Sequence, residues 1–497
     1  MSVIRSRKLT RNVWVTLMNT VVSGILLYLL YRYLLQTIGV EKVGVWSIVM
    51  ASTSLSRIGG LGLGGSVIKF VAKYLANDNH QAIRHVIETA TISVSVLILF
   101  ILILAYWPLD TLLAHVVASA EADSARALLP YAMFSLWLST MVGISQASFE
   151  GLHRFDVPGI ANIAGGVLYF GFVVLLVPKF GVLGLAYAQI LQMLFVLITL
   201  WHLLRKVVPA LQWFPRRWDK RYFLEMLKYG VNFQIGSVVQ MLLEPTTKLM
   251  MGSFGGLAMV GYFEMANRMV MQFRSILVSV NRIAIPIIAD LKENDEERIG
   301  DIYLSSFRIL MFLSLPLYLG IVALAPSISQ LWIGHYQPEF VYMSLILSLG
   351  WMINTLSGPS YMGNLGSGEL ESNTLYHVIS GGLNLILSWG LGVLFDGYGV
   401  AFAFSIAIIV GSLVLITRYQ SKNQISISSL VMFENLRLLV SACIGSILVW
   451  KYFEYSVAET QPAFLVAGGI LIYGGLVAIP VWRHDVRKKL IGDRVCL

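Results

Sequence analysis

The stretch GYFEMANRMVMQFRSILVSVNRIAIP (261–286) has the length and flanks of a membrane span, yet it carries Glu264, Arg268, Arg274 and Arg282. A charged side chain at the bilayer centre costs about 2.5–3.5 kcal/mol on insertion scales. At about 3.6 residues per turn, the charges gather with Asn267, Gln272, Ser275 and Asn281 on one broad face. The opposite arc holds Met265, Met269, Phe273, Ile276, Leu277 and Val280. Lipid cannot satisfy such a polar face, so it must meet water or polar protein. The helix is expected to line an interior cavity rather than to face the bilayer.

The rest of the chain supplies the membrane protein around it. Hydrophobic residues make up 57% of the 497 and charged residues 13%, against about 25% charged in soluble domains. Apolar stretches long enough to span fall near 12–37, 43–68, 85–107, 127–149, 157–177, 182–204, 222–252, 257–288, 303–325, 340–363, 373–395, 399–418, 433–452 and 463–482. The expected fold is thus an all-α polytopic membrane protein of about fourteen transmembrane helices. The stretch 107–126 reads as the longest outer loop, and RKVVPALQWFPRRWDKR (205–221) as a linker between two halves. RSRKLTR (5–11) precedes a span too long for a signal-peptide core. Two cysteines, Cys443 and Cys496, exclude a disulfide framework and a cysteine-rich metal site.

Charge bias orients the spans. With the N-terminus cytoplasmic, about 24 of the 36 Lys and Arg fall on the inner side. The other side collects only Lys42, Arg126, Lys179 and Lys451. Both termini are then cytoplasmic. The net charge of +9 reflects this bias and an anionic inner leaflet. The basic residues are accounted for by this topology, so no nucleic-acid role is expected.

A repeat divides the chain. IGVEKVGVWS (38–47) aligns with GGLAMVGYFE (255–264), Gly39 on Gly256 and Gly44 on Gly261, 217 positions apart. GLAYA (184–188) aligns with GVAFA (399–403), 215 positions apart. The expected organisation is a six-helix bundle (1–206), a cytoplasmic linker (207–221), a second six-helix bundle (222–420), and two further helices with a basic tail (421–497). An even helix number per repeat gives the bundles one orientation and a pseudo-twofold axis along the membrane normal, with substrate sites at the repeat interface.

The membrane charges then fall into groups. In the seventh span Ser237, Gln240, Glu244, Thr247 and Lys248 share a face. Glu244–Lys248 and Glu264–Arg268 are each four apart, acid first, an order that suits intrahelical ion pairs. This quartet reads either as two neutralised helix-pairing couples or as an ion- or proton-coupling site. At the offset of 217 residues, Arg57 aligns with Arg274, and neither has an acid three or four residues away. Two such arginines fit a shared anion site, since guanidinium stays charged and forks onto phosphate oxygens. The alternative is that each satisfies backbone carbonyls at a helix break, for which RIGGLGLGG (57–65) is glycine-rich enough. Arg268 and Arg282 join them as anion-binding candidates, and Asn19, Gln240, Asn267 and Gln272 as cavity-lining ones. Lys228 and Arg308, near inner helix ends, are expected to snorkel. Arg32, Arg57, Lys228, Lys248, Arg268, Arg274, Arg282 and Arg308 stand against two acids, Glu244 and Glu264, so the interior is net cationic.

The glycine-spaced start of the second span, its counterpart in the eighth, the GLAYA/GVAFA pair and the two-times-six-plus-two layout resemble the polysaccharide-transporter (Wzx-like) flippases. These share a superfamily with multidrug and toxin extruders and lipid II flippases. EPTTKLMMGSFGGLAMVGYFEMANR (244–268) looks like the oligosaccharide-flippase branch, although the acid that often precedes the basic residue is here Thr247. The resemblance implies alternating access by two bundles and no enzymatic activity. It implies a polyprenyl-pyrophosphate-linked oligosaccharide as substrate, moved across the bacterial inner membrane for O-antigen, capsule or exopolysaccharide synthesis. It also implies no cofactor, coupling to a proton or sodium gradient or to membrane potential, and a monomer working beside polymerase and chain-length machinery. Drug or cation antiport and lipid II-type precursor transport are the alternatives. Antiport calls for cavity acids without basic partners, and both acids here have a basic residue at i+4.

Overall fold

Helix follows helix along the whole computed structural model. It describes the chain except residues 1, 57–61, 118, 282–297, 427–428, 431–432, 459 and 488–497, and except the side chains of 2–19, 119–120, 231–240 and 279–281. In order, the helices are α1 (Ser2–Thr37), α2 (Gly39–Ser54), α3 (Leu63–Ala76), α4 (His80–Val116), α5 (Ser119–Gly151), α6 (Asp156–Phe180), α7 (Val182–Val207), α8 (Lys220–Asn281), α9 (Ile299–Trp332), α10 (Pro338–Leu356), α11 (Gly358–Ser367), α12 (Glu371–Lys422), α13 (Phe433–Ser456) and α14 (Pro462–Arg483).

Lengths convert these helices into spans. At about 1.5 Å per residue, α8 and α12 would reach about 90 and 80 Å, far beyond a bilayer core of about 30 Å. Each is two spans: α8 breaks at Gly256 (φ 78°, ψ 175°) and α12 at Phe395–Asp396. Conversely, α2 and α3 have only 16 and 14 residues, each too short to span alone. Pro338–Ser367, covering α10 and α11, makes one span. Among the described residues nine helices qualify as spans by length and hydropathy, with α12 counted once, or up to ten with the bent α1–α2 pair taken as one.

One sequence boundary moves. The stretch 107–126 is not a loop: α4 runs to Val116 through Pro108, and α5 starts at Ser119. An Arg126–Asp110 ion pair (3.3 Å) ties the two extensions together.

The chain divides into two compact units, Met1–Gly261 and Tyr262–Leu497. In the N-terminal unit, α1 turns sharply into α2 at Gly39 (φ 81°), with 119° between the two segments. Its repeat mate Gly256 takes nearly the same φ, 78°. Glycine tolerates this left-handed region without penalty. The next aligned pair is reciprocal: a Cβ on Gly44 would strike the Leu257 carbonyl, and one on Gly261 the Val40 carbonyl. Val40 and Leu257 are themselves 217 positions apart.

The second offset shows the same correspondence. The α6–α7 corner is Gly181 (φ 56°, ψ −134°), and 215 positions on, the break in α12 is Asp396 (φ 52°, ψ −139°). Beside each corner a glycine, Gly184 or Gly399, presses on the preceding helix at Leu176 or Leu391, again 215 apart. Within the C-terminal unit, α13 and α14 pack on α9. Trp450 Nε1 donates to the Val322 carbonyl (3.0 Å), and the Tyr473 hydroxyl to that of Pro316 (2.8 Å).

Candidate functional site

Arg274 lies on the second half of α8, in the C-terminal unit. Its Nη2 donates to Asn354 Oδ1 at 2.7 Å, and its guanidinium lies 4.6 Å from the centre of the Trp351 ring. Trp351 and Asn354 sit three apart on α10, one turn of one face. Asn354 is buried, and its amide nitrogen donates to the Tyr376 hydroxyl (2.7 Å) and to Ser412 Oγ (3.1 Å). Trp351 Nε1 donates to Asn267 Oδ1 (3.2 Å), which returns the network to α8. Next to it, Thr355 Oγ1 bonds the Trp351 carbonyl (2.7 Å), and the Tyr318 hydroxyl meets Thr355 Oγ1 (2.8 Å).

Four helices thus fix one guanidinium between an amide and an indole. Buried polar groups of this kind are worth keeping only when mutually satisfied. The arrangement presents a preorganised cation, and guanidinium stacked on an aromatic ring holds its fork in one plane.

The other charges form the expected couples. Lys248 Nζ lies 2.6 Å from Glu244 Oε1 in the N-terminal unit, and Arg268 Nε donates to Glu264 Oε1 at 2.7 Å in the C-terminal unit. Lys248 and Glu264 are buried, whereas the Glu244 and Arg268 side chains are 41% and 55% exposed. Each buried charge therefore has a partner whose side chain is exposed. Thr247 is buried and bonds the Leu243 carbonyl (2.9 Å). Gln272 is half-buried beside Ser275, whose Oγ donates to the Gln272 carbonyl (2.7 Å).

Of the sequence candidates, Asn267 and Arg274 are brought into one network through Trp351. Arg57 and Arg282 lie outside the described residues, as do the side chains of Asn19 on α1 and Gln240 on α8. Arg308 does more than snorkel: its Nη2 donates to the Ser429 carbonyl (2.9 Å). Trp351, Asn354, Tyr376 and Ser412 were not singled out from the sequence. The available signal was Asn354, a lone amide inside an otherwise apolar span.

The count of two membrane acids also needs correction. Glu88 on α4 is fully buried and forms an ion pair with Arg84 (2.7 Å). Its Oε2 accepts the backbone N–H groups of Arg217 (2.9 Å) and Arg216 (3.3 Å). Asp219 N–H on Thr89 Oγ1 (3.2 Å) and Trp218 Nε1 on Ser93 Oγ (2.9 Å) continue the seam. The 207–221 segment is therefore fastened to α4 rather than slack.

Comparison with known proteins agrees with the fold. Residues 38–342 match the polysaccharide biosynthesis protein family. The amylovoran biosynthesis protein AmsL of Erwinia amylovora is 24% identical over 171 residues, 34% of this chain and 44% of that protein. The chain thus spans less than half of AmsL. A Shigella flexneri protein named as an O-antigen transporter is 21% identical over 395 residues, 77% of this chain and 91% of that one. Among solved structures, the lipid II flippase MurJ in an inward-closed conformation superposes with a TM-score of 0.70 at 15% identity, covering 94% of this chain and 97% of that one. An inward-facing multidrug resistance MATE transporter gives 0.68 at 16% identity over 80% and 94%. The chain belongs to the polysaccharide biosynthesis protein family and is a multi-pass membrane protein that shares its fold with these structures.

Proposed function

We propose that this protein flips a polyprenyl-pyrophosphate-linked oligosaccharide from the inner to the outer leaflet of a bacterial inner membrane by alternating access. The product feeds a surface polysaccharide: O-antigen, capsule or exopolysaccharide. The observation that carries this reading is Arg274, a guanidinium fixed by Asn354 and Trp351 within a membrane-spanning bundle. A pyrophosphate is the anion that such a fork fits, in a chain whose membrane segments are rich in cations. The names of the two relatives, one for amylovoran biosynthesis and one for O-antigen transport, point to the same class of cargo.

Arg57, the repeat mate of Arg274, is proposed as the second anion contact, with Arg268 and Arg282 along the path and Asn267 and Gln272 on its wall. Asn19 and Gln240 are assigned to the same wall on helical spacing. Glu244, Lys248, Glu264 and Arg268 are proposed as structural ion pairs or, alternatively, as a site coupling transport to the driving gradient. Both termini are proposed to lie in the cytoplasm, the side that the basic loops favour. The polymerase and chain-length machinery are the proposed partners of the exported unit.

Mass spectrometry of lipid-linked intermediates tests this directly. Cells lacking the protein are expected to accumulate a polyprenyl-pyrophosphate oligosaccharide and to lose the matching surface glycan. Loss of the glycan with no accumulated intermediate would sink the proposal.

A further inference from the structure

A groove of about 550 Å³ opens in the N-terminal unit between α4, α5, α7 and the 207–221 segment. That volume falls in the range of about 300–1,000 Å³ typical of ligand pockets. Trp137, Ile198, Trp201, Trp213, Phe214 and Pro215 line it, so its walls are apolar and largely aromatic. One wall continues into lipid-facing surface: Val96 and Ile198 are exposed on helices that cross the membrane.

Its floor is built, not incidental. Trp201 Nε1 donates to the Gln212 carbonyl (3.1 Å), and Arg205 Nε to that of Leu211 (3.2 Å). The Arg205 guanidinium lies 4.0 Å over the Trp213 ring, and His202 stacks on the same indole. Glu88 pins the backbone of Arg216 and Arg217. Both arginine side chains therefore project from a fixed backbone and are exposed.

The rim is strongly cationic. Arg205, Lys206, Arg216, Arg217 and Lys220 gather here beside Asp219, which accepts the Arg221 N–H (2.8 Å), while the Arg221 side chain pairs with Glu225 (3.2 Å). Exposed Trp213, Phe214 and Trp218 sit beside these charges. Aromatic rings next to basic residues at a helix end mark the headgroup level of a membrane. Six of the spans expected from the sequence precede the segment, which puts it on the same side as the N-terminus.

We propose that this groove is a binding site for an anionic phospholipid, with an acyl chain along Trp137, Trp201 and Trp213 and the phosphate on Arg216 and Arg217. The occupant follows from charge complementarity: an apolar slot open to lipid takes any acyl chain, but a rim of this charge selects an anionic headgroup. Each basic residue near a surface adds about five-fold in affinity for anionic lipid. The lipid would hold the segment joining the two repeats against the membrane. This site is independent of the transported substrate.

Native mass spectrometry of the purified full-length protein tests the proposal, with phosphatidylglycerol, phosphatidylethanolamine of the same acyl chains, and polyprenyl phosphate as probes. Phosphatidylglycerol is expected to be retained over phosphatidylethanolamine. R216Q/R217Q should reduce that retention by about 25-fold and leave phosphatidylethanolamine unchanged. Glu88 bonds only the backbone of these residues, so the variant keeps its seam and should elute as the wild type on gel filtration. Trp213→Ala should weaken both phospholipids. Equal retention of the two phospholipids, unchanged retention in R216Q/R217Q, or displacement of phosphatidylglycerol by equimolar polyprenyl phosphate would overturn it.

Discussion

Replacing Glu88 with alanine removes a buried carboxylate that binds one arginine and two backbone N–H groups. Hydrogen bonds to a charged group are worth about 1.5–3 kcal/mol each. Losing the two that hold the 207–221 segment costs its docking about 3 kcal/mol at the low end of that range. Arg84 is also left buried without its partner, which adds to the cost. The Asp219–Thr89 and Trp218–Ser93 bonds remain, so the segment should open locally without unfolding the bundle. A loss of about 3 kcal/mol raises the open population about 150-fold, and proteolysis tracks that population when reclosing is fast. Limited trypsin digestion of the purified protein reads it, since Arg216, Arg217, Lys220 and Arg221 all become cleavable. Glu88→Ala should be cut about 100-fold faster between the two halves. Glu88→Gln, which keeps one acceptor oxygen, should fall in between. Cleavage of Glu88→Ala at the wild-type rate would show that the carboxylate does not hold the segment.

Asp396 occupies a backbone region that glycine occupies at the equivalent corner, Gly181. Such strain costs about 1–3 kcal/mol, so Asp396→Gly should stabilise the protein by about 1 kcal/mol after the glycine entropy penalty. A thermal midpoint at or below wild type would refute this. His484, beyond the end of α14, is buried against Phe312 and bonds Asn435 Oδ1 (2.9 Å). Burial lowers its pKa, with Glu434 and Asp485 opposing more weakly. A base with a folded pKa below its unfolded value stabilises the fold above about pH 6.5 and loses that contribution as pH falls further. The thermal midpoint should therefore drop more between pH 7.5 and 5 in wild type than in His484→Gln. Equal drops would remove His484 as the cause.

Much of the fold was legible because the bilayer enforces local rules. Span lengths, the positions of Gly39 and Gly256 and the acid-first couples all follow from neighbours within one helix. The nearly constant offsets of 217 and 215 extended that reading to the repeat, and the matching corner at Asp396 emerged only from the backbone. The extension of α4 to Val116 was hidden because Pro108 and Asp110 read as loop. Glu88 was passed over because an acid near a helix start looks like an exposed favourable charge. Its partners are backbone groups about 130 residues away. The same distance hid most of the site. Arg274 and Asn267 stood out as polar residues in one helix, but Trp351, Asn354, Tyr376 and Ser412 acquire meaning only when α10 and α12 are packed against them.

The most direct test of the account is leaflet-resolved transport of a polyprenyl-pyrophosphate oligosaccharide in proteoliposomes, comparing wild type with Arg274→Ala and Arg274→Lys. Loss of one charge-assisted contact to phosphate, about 1.5–3 kcal/mol, predicts a fall of about 10- to 150-fold for Arg274→Ala. Arg274→Lys keeps the charge without the planar fork and should recover only part of the rate. Wild-type transport by well-folded Arg274→Ala would contradict the claim that this arginine carries the anionic head across the membrane.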